Sequence, residues 1–258
     1  MSSFPLDSSS TFDRIGFFFA LEAEGLEFVR RLGLDEAQPL DAALPARYFE
    51  GSVGDSGMAV AVAFAGIDPE HRIDRIGTAS ATLTAYLLCR RFDPDVLINA
   101  GTCGGFRSAG AEIGSIYVGV EAFLFHDHWI PLPGFDSFGV GRIPAAPPEE
   151  IVRLLDADRG VVSSGDSFET NEREMDFFRS ENVVAKDMEA AAVARVANDL
   201  RIPFVAVKAV TDLVDHPEPG HEAFERNLAR VSELLQSRLV GLLDGLHASR
   251  TNSPRGSD

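Results

Sequence analysis

Residues 181–215 read ENVVAKDMEAAAVARVANDLRIPFVAVKAVTDLVD, and this stretch decides the predicted fold class. Residues 183–188 form a short apolar run that predicts a buried strand, and residues 203–211 predict a second one. Between them, residues 189–200 carry alanines and valines at helical spacing. A strand, a helix and a strand with short links form a βαβ unit, which predicts a parallel strand pair.

Three acidic residues stand where the two predicted strands end. Asp187 and Glu189 follow the first strand, and Asp212 follows the second. In open α/β sheets, ligands bind outside the carboxyl ends of the strands. We therefore expect the functional site at this edge of the sheet.

Composition indicates one large α/β domain with a substantial core. The chain has 258 residues, of which 45% are hydrophobic and 24% charged, as in ordinary globular proteins. We expect a single domain at 13–247 between disordered tails at 1–12 and 248–258. A net charge of −17 argues against binding to nucleic acid or to anionic membranes, but it allows a small neutral ligand.

The compartment is predicted from the cysteines and from the N-terminus. Cys89 and Cys103 are too few for a disulfide framework or a cysteine metal cluster, which favours a reducing compartment. The first residues lack the basic start and the apolar run of a signal peptide, and no apolar run reaches the length of a membrane span. We therefore expect a cytoplasmic protein.

The remaining pattern predicts a mixed sheet flanked by helices, with no internal repeat. Ile76, Leu83, Leu87 and Leu88 are predicted core residues of one helix. Further strands are predicted at 14–21, 46–54, 58–66, 95–100, 111–120, 122–125 and 161–168, and further helices at 22–33, 73–92, 147–156, 171–179 and 221–246.

Two other segments carry residues suited to chemistry. Glu22 and Glu24 lie at a strand-to-helix junction, where the helix dipole by itself favours carboxylates. Residues 99–106, NAGTCGGF, predict a glycine-rich turn whose backbone N–H groups can approach a ligand. A tight turn without a ligand explains the same glycines.

Residues 126–141 form an irregular segment, HDHWIPLPGFDSFGVG. His126, Asp127 and His128 are possible metal ligands, but neighbouring side chains on an extended segment point to opposite faces. We therefore predict no metal. The apolar residues of this segment favour a subunit contact or a lid over a pocket.

Six segments together resemble the nucleoside phosphorylase and nucleosidase superfamily. The resemblance is strongest to its 5′-methylthioadenosine/S-adenosylhomocysteine nucleosidases, particularly the plant-type form. It covers most of the chain in the family's order. The segments are FALEAEG at 19–25, PDVLINAGTCGGF at 94–106, FHDHWIPLPGFDSFGVG at 125–141, SSGDSF at 163–168, KDMEAAAVA at 186–194 and KAVTDLVD at 208–215.

The resemblance implies a role for each matching residue. Asp212 would be the general acid that protonates adenine N7, and Glu24 the base that activates water. Glu189 and Met188 would bind the ribose hydroxyls. Further substrate-binding residues would be Phe168 stacking on the purine, the backbone of Glu169 reading its edge, Thr102 and Gly104 lining the ribose and water end, and Lys208 and Thr211 orienting the acids.

The resemblance also implies a three-layer α/β/α sandwich around a mixed central sheet, a place in methionine salvage, and no cofactor. It implies a homodimer in which a loop of the partner covers the 5′-alkylthio group. Phe125, Ile130 and Pro131 would supply that cover. Phe168 and Cys103 depart from the plant-type pattern, so the resemblance leaves the preferred 5′ group open.

Cleavage of an N-glycosidic bond explains why carboxyl groups in opposite protonation states are needed. The leaving purine takes up a proton, and water captures an oxocarbenium-like sugar. Asp212 follows apolar residues, so burial is expected to raise its pKa. Glu24 is expected to stay ionised because it starts a helix and lies near Lys208. An ionised Glu189 would also favour the cationic sugar.

Other functions fit parts of the pattern. A purine nucleoside phosphorylase would need cations for phosphate, but the strand before the glycine-rich segment ends at Asn99. A nucleosidase for another 5′-modified nucleoside, such as a futalosine, remains open, as does a non-catalytic relative. Taken singly, Asp212 and Glu189 are also explained as structural acids at helix starts, and Met188 as core packing.

Overall fold

The computed structural model describes residues 12–54, 57–145 and 147–252, so most of the predicted tails lie outside the described residues. Its strands are β1 (Arg14–Phe19), β2 (Asp35–Glu36), β3 (Arg47–Val53), β4 (Met58–Phe64), β5 (Val96–Gly105), β6 (Ile116–Phe125), β7 (Ile143–Ala145), β8 (Asp158–Ser164), β9 (Val183–Asp187) and β10 (Phe204–Leu213). Its helices are α1 (Glu22–Leu32), α2 (Thr78–Phe92), α3 (Phe135–Val140), α4 (Glu149–Leu155), α5 (Glu172–Ser180), α6 (Ala190–Leu200) and α7 (Gly220–Asn252).

The strands form one mixed sheet in the order β10-β6-β8-β9-β5-β1-β4-β3-β2, with β7 paired to β6. An additional pairing between β10 and β5 closes the first five strands of this order into a ring. The apolar runs of β5 and β10 are buried almost throughout because both strands have neighbours on each side. The ring brings the ends of β5, β9 and β10 together.

Helices cover the sheet on two sides, which confirms the predicted α/β class and mixed sheet. One core lies among α1, α4, α7 and the sheet, and includes Phe28, Ile151 and Leu235. The other lies among α2, α6 and the opposite face, where alanines of α6 allow close packing against Leu88. The paired cores give the three layers of the predicted sandwich.

The prediction that β9 and β10 form a parallel pair is wrong. Both strands pair with β5 instead, β9 in antiparallel and β10 in parallel orientation. The α6 connection therefore crosses over β5 rather than joining neighbours. The acids at the ends of β9 and β10 still converge, because β5 lies between them.

The glycine-rich segment is a strand rather than a turn. β5 continues to Gly105 because β10 pairs with it through Gly104 and Gly105, while β9 pairs from the other side. The two strands predicted at 111–120 and 122–125 are one strand, β6. Glu121 has a positive φ of 69°, and the register with β8 shifts between Gly119 and Phe123, so the predicted break is a bulge.

The helix predicted at 73–92 begins later, at Thr78, because Gly77 at its N-cap has a φ of 95°. Of its predicted core residues, Leu88 is buried, but Ile76 and Leu83 are exposed and Leu87 is only half-buried. The strand predicted at 161–168 ends at Ser164, which leaves Phe168 on a loop.

The closing helix is longer than predicted, since α7 continues to Asn252. In the described ranges, no helix is both long and apolar enough to cross a membrane.

Candidate active site

The three predicted catalytic acids line one cavity of about 580 Å³. Glu24 comes from α1, Glu189 from the start of α6, and Asp212 from β10. The structure thus brings together groups that are far apart in the chain. The other predicted substrate-binding residues on the cavity wall are Thr102, Gly104, Phe168, Glu169, Met188 and Thr211.

Asp212 lines the cavity and is 6% exposed. Its Oδ1 accepts a hydrogen bond from the Thr211 hydroxyl at 2.9 Å. Its Oδ2 faces two glycines, since a Cβ on Gly104 would lie 3.0 Å from it and one on Gly220 3.4 Å. Burial raises the pKa of Asp212, against the Thr211 hydrogen bond and the charge of Lys186. Oδ2 is therefore the oxygen that can carry a proton to a ligand.

Glu24 also lines the cavity, from the first turn of α1. Its Oε1 accepts hydrogen bonds from both the backbone N and the hydroxyl of Thr102, each at 2.6 Å. Its Oε2 accepts the backbone N–H of Leu21 at 3.2 Å. Burial raises the pKa of Glu24, although the Thr102 bonds and the charge of Lys208 favour the ion. The predicted contribution of Lys208 is present, but burial outweighs it.

Glu189 precedes α6 and points toward the first turn of α2. Its Oε1 accepts the backbone N–H of Gly77 at 2.9 Å. Burial raises the pKa of Glu189 to about 7. The positive charge of Lys208 lowers this pKa, and the negative charge of Asp187 raises it further. A carboxylate held this way presents acceptor oxygens to ligand hydroxyls.

Lys208 lies behind the cavity wall, which corrects its predicted place among the substrate-binding residues. Its Nζ forms a buried ion pair with Asp187 Oδ2 at 2.7 Å. Burial lowers the pKa of Lys208, but Asp187, Glu189 and Glu24 outweigh it and raise the pKa overall. The ammonium is therefore paired with Asp187 and lies within electrostatic reach of Glu189 and Glu24, outside the residues that line the cavity.

Asp187 was not assigned a role from the sequence, yet it organises the end of β9. Its Oδ1 accepts the Ser164 hydroxyl at 2.5 Å, and its Oδ2 accepts the backbone N–H of Ala190 at 2.8 Å. Together with Lys208, these bonds satisfy both oxygens of a fully buried carboxylate. Asp187 therefore holds the start of α6, and with it Glu189, in place.

The end of the cavity near Asp212 is apolar and suits a planar ring. Phe168 packs edge-on against Phe224, with 5.7 Å between ring centroids, and remains partly exposed. Glu169 also lines the cavity, and its exposed side chain places Oε1 3.5 Å from His221 Nδ1. Met188 is half-buried on the wall next to Glu189.

Sequence reasoning missed Lys186, which lies on the cavity wall between the loop of Phe168 and Asp212. The composition could have drawn attention to it. Lys186 and Lys208 are the only lysines in the chain, which otherwise uses arginine for its permanent positive charges. Both are buried. The β9–α6–β10 segment therefore carries two buried ammonium groups, each a compact point charge rather than the planar guanidinium of arginine.

Two members of the His126, Asp127 and His128 triplet meet, since Asp127 Oδ1 lies 3.5 Å from His128 Nε2, whereas His126 is not part of this group. His126 is buried, with Nδ1 3.1 Å from the Ser163 hydroxyl, and burial lowers its pKa to about 4. His128 instead stacks on Phe125 at the surface. Ligand-type atoms of Asp127, His128 and Asp166 lie within 4.8 Å of one another, but the two carboxylates already accept backbone N–H groups.

Phe125, Ile130 and Pro131 lie outside the lining of the cavity of their own chain. Phe125 is buried, whereas Ile130 is half-buried and Pro131 exposed. The segment that follows exposes large apolar side chains. These are Leu132, Phe135 and Phe138, the last with 65% of its surface accessible.

Replacing Glu189 by glutamine is expected to stabilise the fold at alkaline pH. Because the folded pKa, about 7, exceeds the ordinary 4.5, the unfolded state releases its proton first as the pH rises. Stability is then lost between about pH 4.5 and 7, by roughly 3 kcal/mol in all. We expect Glu189→Gln to recover about 1–3 kcal/mol of unfolding free energy at pH 8, and much less at pH 5, in urea titrations.

The exposed Glu233 on α7 supplies the control. Glu233→Gln is expected to change stability equally little at both pH values. An equal gain from Glu189→Gln at pH 5 and pH 8 would show that the buried charge is not the cause.

Comparison with known proteins places this fold and cavity in a family. The profile of the phosphorylase superfamily matches residues 14–244. The 5′-methylthioadenosine nucleosidase of Arabidopsis thaliana is 37% identical over 238 residues, which cover 90% of this chain and 88% of that protein. The 5′-methylthioadenosine/S-adenosylhomocysteine nucleosidase of the same plant is 34% identical over 232 residues, covering 89% and 90%.

Solved structures agree with the sequence comparison. The apo structure of the Arabidopsis 5′-methylthioadenosine nucleosidase superposes with a TM-score of 0.87 at 35% identity, covering 96% of this chain and 98% of that one. A futalosine hydrolase of Helicobacter pylori shares the fold at 21% identity, with a TM-score of 0.73 over 90% and 97% of the chains. The chain therefore belongs to the phosphorylase superfamily and, within it, to the family of the 5′-methylthioadenosine/S-adenosylhomocysteine nucleosidases.

Proposed function

We propose that the protein hydrolyses the N-glycosidic bond of 5′-methylthioadenosine, and of S-adenosylhomocysteine, releasing adenine and a 5-alkylthioribose. The proposal rests on family membership and on the placing of Glu24, Glu189 and Asp212 around one cavity. One Arabidopsis relative is named a 5′-methylthioadenosine nucleosidase, and the other a 5′-methylthioadenosine/S-adenosylhomocysteine nucleosidase. The reaction needs water as its second substrate and no cofactor.

The observation that carries hydrolysis is the pair of bonds from Thr102 to Glu24. The backbone N–H and the hydroxyl of Thr102 both donate to Glu24 Oε1 at 2.6 Å. These donors fix Oε1, while Oε2 accepts the longer hydrogen bond from the Leu21 N–H. An oxygen so placed can accept a proton from a water molecule that attacks the sugar carbon.

Asp212 supplies the proton for the leaving group. With Thr211 donating to Oδ1, we expect the proton of the neutral acid on Oδ2, which lies against Gly104 and Gly220 on the cavity wall. The purine stacks beside Phe168 and receives this proton at N7 as the C–N bond breaks. The base then leaves as neutral adenine, and Asp212 is left as a carboxylate.

Glu189 and Met188 hold the sugar between the two acids. The Glu189 carboxylate accepts hydrogen bonds from the ribose hydroxyls, while the Gly77 N–H steadies its other side. Its negative charge lies near the developing oxocarbenium ion and stabilises that ion more than the neutral substrate. Ligand hydroxyls favour the ionised form of Glu189 for the same reason.

The cavity is poorly suited to phosphorolysis. Within the described ranges its wall includes no arginine, and the ammonium of Lys186 donates to two backbone carbonyls. A phosphate dianion at the position of the attacking water would face Glu24, whose carboxylate already uses the Thr102 donors. Repulsion of two anions in a buried site is costly, so neutral water is the favoured nucleophile.

The cellular setting is part of the same proposal. A homodimer would cover the exposed apolar side chains of Leu132, Phe135 and Phe138. It would also place Phe125, Ile130 and Pro131 near the 5′ end of the partner's cavity.

The proposed activity belongs to methionine salvage in the cytoplasm, where free Cys89 and Cys103 remain reduced.

Adenine release in phosphate-free buffer tests the proposal. Purified protein is incubated with 5′-methylthioadenosine, S-adenosylhomocysteine, adenosine and inosine, each with and without phosphate, and the base and sugar are quantified. We expect adenine and a reducing sugar from both thioethers, at rates that phosphate does not change. Release that requires phosphate and yields a sugar 1-phosphate would establish a phosphorylase instead.

A further inference from the structure

Lys186 is the one of the two buried lysines that the mechanism so far leaves without a role. It lies on β9, is 7% exposed, and lines the cavity. A charged ammonium in this position is costly unless it makes compensating contacts. The contacts of the Lys186 ammonium therefore indicate its function.

The first set of contacts is with the loop after β8. Lys186 Nζ donates to the carbonyl oxygens of Ser167, at 3.0 Å, and of Phe168. The same nitrogen lies 5.6 Å from the centroid of the Phe168 ring. One side chain thus fixes two consecutive carbonyls of the loop that presents Phe168 and the Glu169 backbone to the cavity.

The second relation is set by the strand register. Lys186 on β9 pairs with Gly104 on β5, and Gly104 pairs on its other side with Asp212 on β10. Residues directly opposite on neighbouring strands project on the same face of the sheet. A register shift between Val210 and Asp212 interrupts the ladder at this point, but Lys186 and Asp212 both line the same cavity. Their backbones are two strand spacings, or roughly 10 Å, apart, and the glycine between them has no side chain to separate them.

We propose that Lys186 is a positioning residue with two effects: it holds the base-binding loop in shape, and it stabilises the Asp212 carboxylate that remains after proton transfer to the base. This inference rests on the proposed function and deepens it. The acid must hold a proton before the C–N bond breaks and give it up as the bond breaks. Burial favours the protonated acid before the C–N bond breaks. A fixed cation on the other side of Gly104 favours the carboxylate that forms as the bond breaks.

Charge and proton balance agree with this role. The proton moves from Asp212 Oδ2 to N7, the bonding electron pair stays with the base, and Asp212 becomes an anion near the Lys186 ammonium. Reprotonation of Asp212 from solvent completes the cycle. Lys186 neither gains nor loses a proton, so arginine is expected to replace it more successfully than any neutral residue.

The test compares Lys186→Met, Lys186→Gln and Lys186→Arg in the full chain. For both neutral variants we expect kcat to fall about tenfold near pH 7 and the alkaline limb of the kcat profile to move up by about one pH unit, because Asp212 loses a stabilising cation. Calorimetry should show adenine binding about tenfold weaker in Lys186→Met, because the loop is no longer held. Lys186→Arg should restore the alkaline limb.

Lys208 supplies a matched control, since it is the chain's other lysine and its charge acts on Asp187, Glu189 and Glu24. Lys208→Met is expected to move the acid limb upward, through Glu24, and to leave the alkaline limb in place. Thermal unfolding verifies that each variant folds cooperatively. The proposal is overturned if the neutral Lys186 variants fold but keep the wild-type alkaline limb and adenine affinity, or if both lysines shift the same limb.

Failure of this inference can be told apart from failure of the proposed function. If the wild-type protein releases no adenine from either thioether, the proposed function fails, whatever the variants do. If the wild-type protein is active and binds adenine but the Lys186 variants match it, only the role of Lys186 fails.

Discussion

Asp212→Asn is expected to lower kcat for 5′-methylthioadenosine by about 10³-fold. Asparagine keeps the shape of the side chain and can accept the Thr211 hydrogen bond, but its amide has no acidic proton to transfer. The purine would then have to leave as an anion in an apolar pocket, where charge is poorly solvated. The loss should appear in kcat, with adenine binding changed by less than about threefold.

Initial rates of adenine release measure this effect, and calorimetry measures adenine binding. Asp215→Asn is a matched control three residues further along. Asp215 accepts the backbone N–H groups of Arg107 and Ser108 outside the cavity, at 2.7 and 2.9 Å. Its variant is expected to stay within about threefold of wild-type kcat. A kcat for Asp212→Asn near that of Asp215→Asn would refute the general-acid role.

Glu24→Gln is expected to lower kcat by about 10²- to 10³-fold, because an amide cannot take a proton from water. The glutamine oxygen can still accept the Thr102 donors, so the cavity keeps its shape. Substrate should bind nearly as well as in the wild type, and the pH dependence on the acid side should disappear. Stopped-flow measurement of a single turnover separates this chemical defect from slow product release.

Glu22→Gln controls for the charge at the same helix start. Glu22 lies outside the cavity wall and pairs with Arg47 at 3.0 Å. A partly exposed ion pair contributes little, so activity within about twofold of wild type is expected. If Glu22→Gln and Glu24→Gln lose activity equally, the effect comes from the helix dipole and not from a base.

Local sequence was sufficient to predict most elements, because short apolar runs and capping residues act within a few positions. The start of α5 is an example, where Asn171 accepts the Glu174 N–H and the Glu174 carboxylate accepts the Asn171 N–H. Strand partners were not predictable in this way. β9 and β10 both pair with β5, and that choice depends on closure of a ring by residues far apart in the chain.

Propensity misled the prediction where tertiary pairing overrides it. The glycines of 101–105 favour a turn by composition, yet strands on both sides hold them extended. Ile76 reads as helix core by spacing, but Gly77 has a positive φ that starts the helix later and leaves Ile76 at the rim of the cavity. Both wrong predictions, the turn at 101–105 and the early helix start at Ile76, concern residues that line the cavity.

The sequence predicted that acidic residues lie where strands end, and the resemblance supplied their roles. Their protonation states could not be predicted, because burial depends on the whole fold. Glu24 is an example, since the helix start and Lys208 favour ionisation but burial is the larger effect on its pKa. Lys186 was missed because its function depends on cross-strand register with Gly104, which no linear motif encodes.

The most direct test of the central claim, that Asp212 protonates the leaving group while Glu24 activates water, uses a substrate whose leaving group needs no proton. In a 4-nitrophenyl 5-methylthioriboside, nitrophenolate leaves as a stable anion and is followed by its absorbance. We predict that Asp212→Asn cleaves this substrate within about tenfold of the wild-type rate, whereas Glu24→Gln stays as impaired as it is with 5′-methylthioadenosine. Equal impairment of Asp212→Asn on both substrates would contradict the assignment.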